Sequence, residues 1–77
     1  MNKKKRDITK TYSLKQFIDK IRRLAEGLES SKTFIIQIAG ERIRVPKHAE
    51  VNIEHERNLD GQEIEFQIVW KHEKPNT

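Results

Sequence analysis

Three histidines, a row of glutamates and three serine hydroxyls are the groups in this chain whose types can do chemistry. His48, His55 and His72 are spread over the second half. A zinc site wants three or four ligands at suitable spacing. No two of these histidines lie four apart on a helical segment, and there is no cysteine to complete a set. No metal site is expected. Glu54, Glu56, Glu63 and Glu65 can be imagined as paired acids for proton transfer. Their alternation with apolar residues places them instead on the wet side of a hairpin, where burial does not shift a carboxyl. Ser13 stands where a helix begins, and Ser30 and Ser31 stand in a turn with no base beside them. An activated hydroxyl needs a positioned histidine or lysine. Gly27, Gly40 and Gly61 are isolated, so no phosphate loop is present. The expectation is a protein with no catalytic residues and no cofactor.

Cations are the remaining candidates. Lys3, Lys4, Lys5 and Arg6 form a basic arm, and Arg42 and Arg44 alternate with Ile43 on a strand. Such groups neutralise phosphates without regard to sequence. The arm equally reads as a solubilising tail. Residues 1–48 hold 13 Lys or Arg against 5 Asp or Glu, a net of +8, and residues 49–77 hold 3 against 7, a net of −4. Deleting Lys3 to Arg6 takes the chain from +4 to zero, so the folded body is expected to be near neutral.

The elements that position these groups follow from hydrophobic period. Ser13 and Gln16 make a capping box, with Tyr12 and Phe17 as the staple. Leu14, Phe17, Ile18, Ile21, Leu24, Ala25 and Leu28 then recur on one helical face, and Asp19 is in reach of Arg23 four residues on. Ile8 to Tyr12, with β-branched residues, predicts a short first strand. Thr33 to Ala39 predicts a second, followed by a Gly40-Glu41 type II′ turn that pairs Ile38 with Ile43 and Ile36 with Val45. Pro46 stops the next strand. Val51, Ile53 and His55 face Ile64, Phe66, Ile68 and Trp70 across a last hairpin. A three-residue turn there would oppose oily to wet faces. A two-residue Asp60-Gly61 turn, setting Val51 opposite Trp70, or a four-residue loop keeps them matched.

The order is β-α-β-β-β-β, an α+β domain of two layers with one helix on a mostly antiparallel sheet. Residues 1–6 read as a disordered arm, 7–71 as a single domain and 72–77 as a frayed tail. Trp70 is expected to pack under the helix beside Val51. The open sheet face would carry Arg42, Arg44, Asn52, Glu54 and Glu56, with Arg44 meeting Glu54 if their strands are neighbours. Ile35 and Val69 also fall on that face and are candidates for a partner surface. The longest apolar run, Phe34-Ile35-Ile36, is too short to span a bilayer. The basic start leads to Asp7 and Thr9 rather than to an apolar stretch, so it is not read as a secretory signal, and a cytoplasmic location is expected.

Several segments together carry a family resemblance. They are Tyr12-Ser13-Leu14, Leu24-Ala25-Glu26-Gly27-Leu28, Ile38-Ala39-Gly40-Glu41 before Arg42-Ile43-Arg44-Val45-Pro46, Val51-Asn52-Ile53-Glu54, and Glu63 through Trp70. In this order the chain, over about residues 7 to 71, resembles the amphi-Trp domain, a small prokaryotic domain of poorly defined role. The family pattern is strongly acidic, and Arg22, Arg23, Arg42, Arg44 and the arm depart from it. The resemblance implies no catalytic residue or cofactor. Two readings of function follow. One is a non-catalytic interaction module that docks a protein partner or a second copy. The other is a weak, sequence-independent nucleic-acid binder using the arm with Arg42 and Arg44.

Overall fold

The structure, a computed structural model, describes residues 5–72. One helix, α1 (Leu14–Glu29), precedes four strands: β1 (Phe34–Ile38), β2 (Glu41–Val45), β3 (Glu50–Arg57) and β4 (Gln62–Val69). The class is α+β, as the periodicities predict. Two features of the predicted architecture differ. The strands form two separate antiparallel pairs, β1-β2 and β3-β4, rather than one sheet. Pro46, with no N–H to donate, closes the first ladder, and the five-residue pair gives way to an eight-residue pair that satisfies itself. Arg44 and Glu54 are therefore not ladder neighbours. The predicted first strand is also absent: residues 5–13 form no strand, so the helix comes first.

The chain divides into two compact units, with the boundary between Lys47 and His48. That boundary falls inside the 7–71 segment read from the sequence as one domain.

In the first unit, α1 starts as its sequence dictates. Ser13 Oγ accepts the Gln16 N–H and Gln16 Oε1 accepts the Ser13 N–H, both at 3.2 Å. At the other end the Ser30 hydroxyl donates to the Gly27 carbonyl and accepts from the Lys32 N–H, so it too is a capping group. The helix packs on β1. Gly27 lets the Phe34 ring lie directly on the helix backbone: a Cβ there would meet the ring far inside van der Waals contact. Ile36 and Val45 are the buried centre of this unit, with Leu24, Phe34 and Ile43 half-buried around them. Asp19 pairs with Lys15 at 3.4 Å rather than with Arg23.

The β1-β2 register runs Phe34↔Val45, Ile36↔Ile43 and Ile38↔Glu41. The turn is thus Ala39-Gly40, one residue earlier than the predicted Gly40-Glu41. Ala39 (φ 48°) and Gly40 (φ 83°) both lie in the left-handed region that a type I′ turn demands. This turn matches strand twist best, and moving the partners by two residues leaves every apolar side chain on its face. Side chains hold the strained turn. The Ala39 N–H donates to Tyr12 Oη at 3.1 Å, Arg6 donates to the Ile38 carbonyl at 3.0 Å, and Arg6 Nε meets Glu41 Oε1 at 2.9 Å. Lys20 Nζ donates to the Gln37 carbonyl on β1. The segment before the helix therefore reaches this hairpin through side chains, which is why β-branched content did not make it a strand.

In the second unit, β3 and β4 pair as Val51↔Ile68, Ile53↔Phe66, His55↔Ile64 and Arg57↔Gln62. The four-residue loop Asn58–Gly61 is the one that forms. Asn58 Oδ1 accepts from the N–H groups of Asp60 at 2.8 Å and Gly61 at 3.0 Å. Val51 consequently faces Ile68, not Trp70. Trp70 lies just past the end of β4 and is half-buried.

Candidate interaction surfaces

The two faces of the β3-β4 hairpin have opposite chemistry. One carries Val51, Ile53, His55, Ile64, Phe66 and Ile68. Val51, Ile53, Ile64 and Phe66 are 61%, 67%, 67% and 69% exposed. Ile68 is half-buried, and His55 Nε2 lies 3.0 Å from Gln62 Oε1 at the loop end. An apolar row this open on a two-stranded ribbon is unusual, because such a ribbon is barely stable without a covering layer. Sequence reasoning found the row through its alternation and assigned it to the core of a single sheet, whereas the strands form two separate pairs.

The other face is acidic. Glu54 stands directly opposite Glu65, and Glu56 opposite Glu63. Like charges so placed repel. The Glu65 carboxyl is held above its ordinary value, first by the Glu63 charge, then by loss of water, then by Glu54 and Glu56. Crowding of charge is thus the chief cause, with burial second. Among the described residues no three His, Cys, Asp or Glu side chains gather as a metal-ligand set.

The sequence-nominated partner residues are both exposed, Ile35 at 42% and Val69 at 51%, but they sit on different sheets. A small cleft of about 260 Å³ beside Val69 is lined by His48, Glu50, Trp70 and Lys71.

Of the nominated cations, Lys3 and Lys4 lie outside the described residues. Lys5 is exposed. Arg6 is committed to Glu41 and the Ile38 carbonyl, so it anchors a turn rather than belonging to a free arm. Arg44 opposes Ile35 on the β1-β2 ladder. Arg42 opposes Gln37 and lines a cleft of about 390 Å³ with Lys20, Arg23 and Ile35. A larger cleft of about 530 Å³ shares Lys20, Arg23 and Gln37 and adds Lys10 and Arg22, together with the acids Asp19 and Glu26. Lys20 and Arg23 were missed because Arg23 had an apparent partner in Asp19. A third cleft of about 440 Å³ is apolar, between Phe17, Ile21 and Leu24 on the helix and Ile36 and Ile38 on β1. Charge divides where the units do, the first net positive and the second net negative. The near-neutral body read from composition is a sum of opposites.

Among the described residues no helix is long and apolar enough to cross a membrane. Comparison with known proteins gives no match, whether to a protein-family model, a curated protein or a solved structure.

Proposed function

We propose that this chain is a non-catalytic interaction module, of the amphi-Trp type its sequence resembles, that associates with a second copy through the apolar face of β3-β4. One observation carries the reading: Val51, Ile53, Ile64 and Phe66 form a contiguous row, each more than 60% exposed. The face is self-complementary. Its centre, Ile53 beside Phe66, is apolar, and stacking two such faces about a two-fold axis turns both acidic faces outward. A non-catalytic role agrees with the use of the Ser13 and Ser30 hydroxyls as helix caps. A cytoplasmic location agrees with a chain that has no cysteine.

Geometry sets the strength. Eight residues at about 3.3 Å each, on two strands about 4.8 Å apart, give a footprint of only a few hundred Å². Stable interfaces bury about 800 Å² per partner. The dimer is accordingly weak and forms at high micromolar concentration. Sedimentation equilibrium should show mass rising with concentration, and Phe66→Glu should abolish the rise while the helical circular dichroism persists. A wild-type chain that stays monomeric across that range would overturn the proposal.

A further inference from the structure

We propose that the cleft between α1 and the β1-β2 hairpin holds the phosphodiester backbone of a nucleic acid through Lys20, Arg23 and Arg42. Three cations converge on one opening of about 390 Å³ whose lining contains no carboxylate. Clustered like charge is unfavourable unless an anion shares it. Among the described residues no ion pair neutralises the two arginines: Asp19, four residues before Arg23, pairs with Lys15, and neither Arg23 nor Arg42 has a carboxylate partner. Lys20 spends one donor on the carbonyl of Gln37, which lines the same opening, and its ammonium has two further donors. Arg23 and Arg42 supply forked donors suited to phosphate oxygens.

A strand is favoured over a free phosphate because the cationic lining continues. The adjoining cleft shares Lys20 and Arg23 and adds Lys10 and Arg22, four cations against the two carboxylates Asp19 and Glu26, so it stays net positive. Base recognition is not built in. Tyr12, the aromatic of that cleft, has Lys10 Nζ 4.9 Å over its ring and its hydroxyl on Ala39. Binding is therefore to the backbone, indifferent to sequence and steep in salt.

The experiment is titration of a labelled oligothymidylate with the full chain at several salt concentrations. Each phosphate contact on a single strand contributes about −0.7 to the log–log salt slope. Arg23→Gln with Arg42→Gln should make the slope shallower by about 1.4 and weaken low-salt binding at least about tenfold. Lys32→Gln with Lys47→Gln removes the same charge from the same unit outside the cleft and should change affinity less than about threefold. Circular dichroism checks that both pairs keep the helix, and single Arg23→Lys and Arg42→Lys variants should retain most of the slope. Equal losses from the two pairs would reduce the effect to net charge and overturn the site. So would absence of binding at low salt, or competition by inorganic phosphate at the same phosphate concentration as the oligonucleotide. Self-association through β3-β4 is read separately, by mass, so either idea can fail alone.

Discussion

Gly27 shows how one missing methyl sets the packing of the first unit. In an exposed helix interior, Gly→Ala gains about 1 kcal/mol of helix propensity. Here the new Cβ would enter the Phe34 ring, and forced overpacking costs about 1–3 kcal/mol. Gly27→Ala should therefore destabilise the chain by about 1 kcal/mol in urea denaturation; a gain would show that the ring swings aside without cost. Ala39 carries the opposite lesson. A left-handed conformation costs an L-residue about 1–2 kcal/mol, and Asn-Gly is the sequence that type I′ turns favour. Ala39→Asn should raise stability by up to about 1 kcal/mol, measured the same way. No change would mean that Tyr12 and Arg6, not intrinsic preference, already decide the turn.

Elements were legible to the extent that their determinants are local. The helix start was, because Ser13 and Gln16 satisfy each other's backbone three residues apart. The first turn was displaced because a shift of partners by two keeps Phe34, Ile36, Ile43 and Val45 on one face. Hydrophobic alternation is blind to such a shift, and only the strand twist and the φ values at Ala39 and Gly40 decide it. The absent first strand was illegible for another reason: whether Ile8 to Tyr12 finds a ladder depends on groups far along the chain. Arg23 was overlooked because Asp19 has two basic neighbours at four residues' distance and takes Lys15. On β4, cross-strand register has a consequence in pH. Glu65 faces Glu54 and adjoins Glu63, and its folded carboxyl titrates above the unfolded one. Between those two values the folded hairpin binds more protons, so stability falls as pH rises and the penalty is complete above the raised value. Glu65→Gln should stabilise the chain at neutral pH and make no difference in acid, where the carboxyl is protonated in both states. Equal stabilisation at both pH values would assign the effect to packing.

At the scale of the molecule, two units of opposite charge carry two surfaces of different kind. The basic unit presents clustered cations beside a helix, and the acidic unit presents an exposed apolar row. Composition alone averaged these into a neutral body, since summed charge ignores where the chain folds back on itself. The alternation of β3 and β4 specified which residues share a face, but not what lies against that face, because burial is a property of the partner as much as of the strand. The central claim is that the row from Val51 to Phe66 is a meeting surface between copies. Sedimentation equilibrium on the wild type beside Ile53→Glu and Phe66→Glu tests it most directly. The claim requires a mass that climbs toward twice the monomer in the wild type and stays flat in both variants; a flat profile in all three, or a climb that survives both substitutions, contradicts it.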